Sequence, residues 1–324
     1  MVRQGFLDRL ASEILPPRPD PRTDAYPLMN SFPPTALISL AYVIGVYAWR
    51  NELQRRNNVQ KPKAVSNGAV SKRASHQWGF VKCLMVLYNV IMVMYSAYIV
   101  YGTLSIVRRL NYGLRCEPQP DPNDRSTDDM LYFGYLFYFS KFVEMLDTVF
   151  FLWRGKVDQV TFLHVFHHAS MPPSIWWGVR YAPGGVVFMF PLANSLIHVI
   201  MYTYYGMSAA GLHKYLWWKN YLTIAQMIQF VVLMVHQGQF ITGITPCSYP
   251  KVFPAAIVFY AFVFLVLFSN FYIQAYWRKQ RLAKHVRDSA KANGHPVANG
   301  NKSVANGRPS DADTQLRERK PHAQ

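Results

Sequence analysis

Seven stretches of the chain are almost wholly apolar, and polar stretches separate them. They cover residues 35–49, 80–101, 131–153, 160–178, 186–206, 215–236 and 252–277. Most have about the 20 residues that an α-helix needs to cross a bilayer, and they are too long and unbroken for strands of a transmembrane barrel. The last has almost no polar face, unlike a helix on a soluble core. The pattern predicts an all-α polytopic membrane protein with seven transmembrane helices.

The composition agrees with a membrane protein that has polar ends. Of 324 residues, 51% are hydrophobic and 16% are charged, whereas about 25% are charged in a typical soluble domain. This excludes an intrinsically disordered chain, a collagen and a disulfide-rich secreted domain. We expect an N-terminal segment over 1–34, a transmembrane domain over 35–277 and a basic, low-complexity tail over 278–324.

The charges of the connecting loops predict the orientation. The loop 50–79 has seven Lys and Arg against one acid, the tail 278–324 has eleven against four, and the loop 102–130 has four against five. Positive loops stay on the cytosolic side. The tail is therefore expected in the cytosol and the N-terminus on the opposite side.

The cysteines fit this orientation. Cys116 and Cys247 fall in the two long non-cytosolic loops, where disulfides form. We predict a disulfide between them, and two unpaired thiols are the alternative. Cys83 lies in the second apolar segment and is expected to be a small packing residue.

Four apolar segments contain polar clusters whose members share a helix face. Ionisable groups inside lipid cost about 2.5–3.5 kcal/mol each on insertion scales, so they usually mark function. The clusters are KFVEMLDT with Lys141, Glu144, Asp147 and Thr148; HVFHH with His164, His167 and His168; HVIMYTYY with His198, Met201, Tyr202 and Tyr205; and TIAQMIQ with Thr223, Gln226 and Gln229.

The depth of the clusters predicts that they meet. At 1.5 Å per residue, most of these side chains lie about 9–13 Å from the cytosolic ends of their helices. Scattered structural residues would not share a level, so we expect one polar site; the alternative is a set of hydrogen bonds that hold helices together. His236, at the other end of its segment, is expected to be interfacial. Near segment ends, membrane-interface anchors are expected from Trp176, Trp177, Trp217 and Trp218.

Two kinds of chemistry fit clustered histidines. HVFHH resembles one histidine box of the membrane di-iron desaturases, but the chain has no second paired box. One zinc held by three histidines and a carboxylate is the other metal option. We expect neither metal nor cofactor. A neutral imidazole in an apolar pocket is a competent nucleophile toward thioesters, and Asp147 or Glu144 can fix its tautomer.

In order and spacing, KFVEMLDT, HVFHH, HVIMYTYY and TIAQMIQ resemble the four signature motifs of the very-long-chain fatty acid elongases. The resemblance covers about residues 28–280. It implies a 3-oxoacyl-CoA synthase of the endoplasmic reticulum membrane, in which helices two to seven form a barrel around a narrow acyl tunnel open to the cytosol. Such enzymes condense long-chain acyl-CoA with malonyl-CoA, release carbon dioxide and CoA, and leave a 3-oxoacyl-CoA two carbons longer. The tail departs from the family pattern because it ends in KPHAQ instead of a dilysine retrieval signal.

The resemblance also implies roles for the clustered residues. His167 would form an acyl-imidazole with His198 as its catalytic partner, although the residues alone do not rank the three histidines of HVFHH as nucleophiles. Glu144 and Asp147 would orient imidazoles, and Lys141 would bind substrate or form a buried ion pair with Glu144. Further substrate contacts are expected from Tyr202, Tyr205, Thr223, Gln226 and Gln229, and CoA phosphates suit the rim cations Arg154, Lys156, Lys214, Lys219, Arg278 and Lys279.

The implied partners are acyl-CoA, malonyl-CoA, the lipid bilayer, and the ketoacyl-CoA reductase, hydroxyacyl-CoA dehydratase and enoyl-CoA reductase of the elongation cycle. We expect no nucleic-acid partner, and a homodimer stays open, as does the preferred acyl chain. The rival classes are a seven-helix receptor or transporter for a lipid-like ligand and a histidine-box metalloenzyme. A polar site in the cytosolic half is unlike a ligand pocket that opens to the outside.

Overall fold

The computed structural model describes residues 18–60 and 72–277, and within them the regular structure is helical. The α-helices are α1 (Pro33–Gln60), α2 (Lys72–Arg109), α3 (Asp128–Glu144), α4 (Leu146–Trp153), α5 (Phe162–Tyr181), α6 (Met189–Ala210), α7 (Lys219–Ile241) and α8 (Val252–Tyr272). The last is followed by one π-helical turn, Ile273–Trp277. The predicted tail lies outside the described residues.

The all-α prediction is confirmed for this part of the chain, and one predicted segment is interrupted. The stretch 131–153 forms two helices, because a turn at Met145 separates α3 from α4. Among the described residues, five helices are long and apolar enough to cross a membrane: α1, α2, α6, α7 and α8. Of the remaining two predicted spans, 131–153 is divided into helices of 17 and 8 residues, and 160–178 contains the polar residues of HVFHH. Seven crossings stay a prediction.

Local sequence explains how two of the site helices begin and end. Thr161 caps the start of α5, because its hydroxyl accepts a hydrogen bond from the backbone N–H of His164. The histidines of HVFHH therefore fall in the first two turns of α5. Gly211 ends α6 in the left-handed conformation, at φ 89°, which glycine adopts without steric cost.

Contacts between the helices form a closed circuit. Helix α2 packs against α3 and α6, α6 against α7, α7 against α8, α8 against α5, and α5 against α3. Helix α1 packs against α5 and α4 and against residues 157–159. The polar clusters of four segments are thus carried on neighbouring helices.

A disulfide joins Cys116 and Cys247, the pair that the loop positions predict. We call this end of the molecule the disulfide end, and the opposite end, where α4 finishes and α5 begins, the histidine end. The Tyr249 hydroxyl donates to the carbonyl of Ala182 at 2.6 Å, and burial raises the pKa of this hydroxyl well above its usual value. It therefore stays a donor at the pH of any cell compartment.

The N-terminal strap, residues 18–32, covers the disulfide end of α3 and α5. Arg22 binds Asp20 at 2.8 Å and Asp128 at 2.9 Å, and the hydrogen bonds to Asp20 raise the pKa of its guanidinium. Arg180, near the end of α5, binds Thr23 and Asp24 of the strap. The strap thereby ties α3 to α5 at this end.

Candidate functional site

The polar site is built around the carboxylate of Glu144, which is 1% exposed. Its Oε1 accepts hydrogen bonds from Lys141 Nζ at 2.7 Å and from Ser140 Oγ at 3.0 Å, and His198 Nδ1 lies 3.2 Å from the same oxygen. Its Oε2 is buried and has no hydrogen-bond partner in the described structure. One carboxylate thus links α3 to α6 and keeps a free acceptor oxygen.

Lys141 forms the buried ion pair that was one of its two predicted states. Its ammonium also donates to Asn194 Oδ1 at 2.9 Å and lies 4.3 Å from the centre of the Phe137 ring. Sequence reasoning missed Asn194. The signal that could have identified Asn194 is a polar amide in an apolar segment of membrane-spanning length, one helical turn before His198.

Asp147 contacts a tyrosine where an imidazole partner was predicted. Its Oδ2 accepts a hydrogen bond from the hydroxyl of Tyr202 at 2.9 Å, and both side chains are buried. Tyr88, from α2, packs edge-on against Tyr202 and donates to the carbonyl of Val143 at 3.2 Å. Among the described contacts, Glu144 and not Asp147 holds a histidine.

The three histidines of HVFHH have different surroundings. His164 Nε2 lies 2.8 Å from the hydroxyl of Thr148. The ring of His168 packs between those of His164 and His167, with ring centres 4.5 and 5.2 Å apart. The His167 ring lies 5.1 Å from the ring of Phe264 on α8. His167 is therefore the box histidine that faces α8.

The residues of TIAQMIQ spread along one side of α7. Thr223 donates to the carbonyl of Lys219 in its own helix, and Gln226 Nε2 lies 3.7 Å from the sulfur of Met201. Gln229 is buried and borders the cavity described next. Tyr205 packs against Tyr202. Substrate contacts of these residues stay a prediction.

A long apolar cavity of about 130 Å³ starts at this site. His167 and Phe264 border it toward the histidine end, and Ala182 and Phe253 border it toward the disulfide end. His167 and Ala182 lie about 22 Å apart along α5 and its C-cap, so the wall of the cavity extends over about this distance. Its wall is mostly Phe, Met, Ile, Val, Leu, Ala and Gly, with residues from α2, α3, α5, α6, α7 and α8.

Only one of the four predicted catalytic histidines borders this cavity. His167 does so, together with the polar side chains of Asn194 and Gln229, whereas His164, His168 and His198 are not part of its wall. The arrangement places one imidazole at the end of a mostly apolar space.

Exposed cations lie around the histidine end. Arg154, Lys156, Lys214 and Lys219 are all exposed there, and Arg154 also lies 3.8 Å from the sulfur of Met85. The other two predicted rim cations, Arg278 and Lys279, lie outside the described residues. Their exposed positions suit contact with a polyanion, and CoA binding by them stays a prediction.

Within residues 18–60 and 72–277, no group of three or more His, Cys, Asp or Glu side chains is arranged to hold a metal ion. The histidines instead contact Glu144, Thr148 and aromatic rings.

Three smaller predictions are wrong. His236 is buried instead of interfacial, because Gln237 donates to its Nδ1 and to the carbonyl of Val186. Trp176 is buried and donates to the carbonyl of Leu28, so it anchors the strap and not the membrane interface. Cys83 is exposed on α2 instead of packed.

Comparison with known proteins agrees with the motifs. Residues 27–284 match the model of the GNS1/SUR4 family, ELO. The chain is 40% identical over 293 residues to very long chain fatty acid elongase 7 of Drosophila melanogaster, covering 89% of this chain and 80% of the relative. It is 39% identical over 273 residues to human very long chain fatty acid elongase 1, which covers 83% of this chain and 91% of the relative. It is 35% identical over 310 residues to mouse very long chain fatty acid elongase 2, which covers 94% of each chain.

These matches and the helical fold define a multi-pass membrane protein of lipid metabolism. The chain belongs to the ELO family of very long chain fatty acid elongases.

Proposed function

We propose that the protein condenses a long-chain acyl-CoA with malonyl-CoA. The products are a 3-oxoacyl-CoA two carbons longer, carbon dioxide and free CoA, which is the first step of an elongation cycle. One observation carries the proposal: His167 stands at one end of an apolar cavity whose wall extends over about 22 Å. The names of the relatives, very long chain fatty acid elongases, support the same substrate class.

The acyl chain would lie in the cavity with its thioester at His167. The circuit of α2, α3, α5, α6, α7 and α8 supports a barrel around this space, with α1 packed beside it as the seventh crossing. The exposed cations near the histidine end, Arg154 and Lys156 among them, favour entry from that side, because a CoA carries several phosphates.

The first half-reaction transfers the acyl group to the enzyme. An unprotonated ring nitrogen of His167 attacks the thioester carbonyl, the carbon–sulfur bond breaks, and CoA leaves as a thiolate that takes up a proton. The product is an acyl-imidazole. The apolar wall around His167 favours this role, because it disfavours the imidazolium that cannot act as a nucleophile.

The second half-reaction forms the new carbon–carbon bond. Malonyl-CoA replaces CoA and loses carbon dioxide, and the electron pair of the broken bond stays on the remaining acetyl-CoA as an enolate. The enolate attacks the acyl-imidazole, the carbon–nitrogen bond breaks, and the imidazolate that leaves takes up a proton from solvent, which restores His167. Atoms balance without an oxidant, a metal or a further cofactor.

His198 would act beside His167 in a fixed tautomer. A neutral His198 donates its Nδ1 proton to Glu144 Oε1, which leaves Nε2 as its basic nitrogen. Lys141 compensates the charge of the carboxylate, so that Glu144 stays an acceptor. His198 Nε2 is then available to move protons to and from His167 as the acyl-imidazole forms and breaks.

The cellular membrane and the orientation of the protein in it follow from the same proposal. We place the histidine end on the cytosolic side of the endoplasmic reticulum membrane and the disulfide end in the lumen, where oxidation is possible. The N-terminus is then luminal and the tail cytosolic. The 3-oxo product needs a ketone reduction, a dehydration and an enoyl reduction, so enzymes with these activities are the expected partners.

The test uses purified protein with radiolabelled malonyl-CoA and a panel of acyl-CoAs. Wild-type protein and the control His213→Ala, which changes an exposed residue at the histidine end, should form a labelled 3-oxoacyl product two carbons longer. His167→Ala should form none, and a chelator should leave the wild type active. Loss of product with chelator would favour a metal mechanism. No product from folded wild type with any acyl-CoA would overturn the proposal in favour of a receptor or transporter.

A further inference from the structure

Helix α1 supplies no residue to the wall of the cavity, yet one of its side chains reaches the histidine site. The hydroxyl of Tyr42 lies 2.7 Å from Thr148 Oγ1, and the same oxygen lies 2.8 Å from His164 Nε2. Thr148 is completely buried. Three polar groups from three helices, α1, α4 and α5, therefore form one hydrogen-bonded chain.

The chain of hydrogen bonds couples the proton of Tyr42 to the tautomer of His164. Thr148 has one hydroxyl proton, and its two hydrogen-bond neighbours are Tyr42 and His164. If Tyr42 donates, Thr148 donates to His164 Nε2 and the imidazole proton lies on Nδ1. If His164 donates from Nε2, Thr148 donates to Tyr42. In either state, the tyrosine hydroxyl and the imidazole tautomer are set together.

His164 transmits its orientation through ring contacts. Its ring packs on that of His168 at 4.5 Å, and His168 packs on His167 at 5.2 Å. The Tyr42 ring also lies 6.4 Å from the ring of His168. A change in the angle of His164 therefore moves the support on which the cavity-facing imidazole rests.

We propose that Tyr42 is a positioning residue of this site, which acts through Thr148 to fix His164 and so to hold His167 toward the cavity. The catalytic part of this inference rests on the proposed condensation at His167. Helix α1, which the contact circuit leaves aside, then has a part in turnover as well as in packing.

The chain offers a matched control in Tyr47. Tyr42 and Tyr47 lie on the same helix and pack on the same apolar cluster around Val46 and Leu152. The hydroxyl of Tyr47 has no hydrogen bond among the described residues, whereas that of Tyr42 has one. Tyr42→Phe and Tyr47→Phe thus each remove a phenolic hydroxyl from similar packing. Only Tyr42→Phe breaks the chain of hydrogen bonds from Tyr42 through Thr148 to His164.

The kinetic test compares turnover with substrate affinity. Tyr42→Phe should lower kcat about three- to tenfold with KM for acyl-CoA within about twofold, because a single hydrogen bond is lost. Tyr47→Phe should match the wild type. Thr148→Val should lower kcat at least as much as Tyr42→Phe, Thr148→Ser should restore it, and the double variant Tyr42→Phe/Thr148→Val should be no slower than Thr148→Val alone. Equal kcat in the two tyrosine variants, or effects that multiply in the double variant, would overturn the proposal.

A second readout does not depend on the reaction. Protein with ¹⁵N-labelled histidine is studied by solid-state NMR, and the His164 signals are assigned by their loss in His164→Gln. Tyr42→Phe should shift the ring-nitrogen signals of His164, and Tyr47→Phe should leave them in place. Unchanged signals in Tyr42→Phe would contradict the proposal. The two readouts separate the two proposals. If Tyr42→Phe shifts the His164 signals but the wild type forms no 3-oxoacyl product, the proposed function is overturned while the coupling of Tyr42 to His164 is supported.

Discussion

The two ends of the molecule use buried polar groups in different ways. At the disulfide end, apart from the ion pairs of the strap, several buried side chains donate to main-chain carbonyls: Tyr249 to Ala182, Gln237 to Val186, and Trp176 to Leu28. At the histidine site, most of the buried contacts join two side chains, as in Lys141–Glu144 and Tyr202–Asp147. Main-chain carbonyls fix a fold, whereas paired side chains keep donors, acceptors and charges that chemistry can use. The first region is therefore expected to control stability and the second to control turnover.

The largest effect that tests this division comes from Glu144. Glu144→Gln should lower condensation more than about 100-fold, because His198 loses its charged partner. It should also destabilise the protein by about 3–5 kcal/mol, because the Lys141 charge stays buried without compensation. Turnover is measured by product formation, and stability by thermal unfolding in detergent.

A double variant separates these two effects. Lys141→Met combined with Glu144→Gln removes both buried charges, so stability should return close to that of the wild type while turnover stays lost. Glu52→Gln, which breaks an exposed pair with Arg56, is the control and should change neither. If the double variant regains turnover, the Glu144 network is structural only.

Loss of the disulfide should have the next largest effect and act on stability. Cys116→Ser with Cys247→Ser removes a link between residues 131 positions apart, and we expect a loss of about 2–5 kcal/mol. Turnover at low temperature should stay within about twofold, because the cysteines lie at the end opposite to His167. The control is Cys83→Ser, a change at an exposed thiol. A large fall in kcat at unchanged stability would contradict the division between the two ends.

The N-terminal strap gives a smaller effect of the same kind. Arg22→Met leaves the buried carboxylate of Asp20 without its cation and should cost about 1–3 kcal/mol of stability. Arg125→Met is a close control, because Arg125 also binds Asp128 but its side chain is 84% exposed. Equal melting temperatures for the two variants would show that the ion pairs of Arg22 in the strap contribute little to the stability of the protein.

The smallest expected effect is that of a single main-chain contact. Tyr249→Phe removes the donor to the Ala182 carbonyl and should cost about 1 kcal/mol, with unchanged kcat. Tyr215→Phe, at an exposed position near the histidine end, should cost nothing measurable. A change in chain-length preference in Tyr249→Phe would show that the disulfide end shapes the cavity and does more than hold the fold.

Much of the site was predictable because its residues are polar in segments that are otherwise apolar. Lys141, Glu144 and His198 stand out for this reason, and their common depth predicts the contact that the structure shows. Tyr42 gives no such signal, because a tyrosine is unremarkable in an apolar segment. Its contact with Thr148 joins residues 106 positions apart, which no local pattern reveals.

The errors in the fold have a similar cause. The position of His236 near a segment end indicated the membrane interface, but the chain after α5 folds back and offers the Val186 carbonyl to the adjacent Gln237. The prediction for Trp176 is wrong because the strap, a segment without helical periodicity, covers this side chain. The turn at Met145 contains neither proline nor glycine, so the sequence has no signal that predicts it. For His236 and Trp176, a tertiary contact and not the local pattern decided the outcome.

The central claim, acyl transfer to His167, is tested most directly by trapping the intermediate. Purified protein is incubated with radiolabelled long-chain acyl-CoA in the absence of malonyl-CoA, and the label is located by digestion and mass spectrometry. The account predicts one acyl group on the peptide that contains His167, none in His167→Ala, and release as 3-oxoacyl-CoA when malonyl-CoA is added. A label on another residue that malonyl-CoA converts to product, or condensation that proceeds with no protein-bound acyl group, would contradict it.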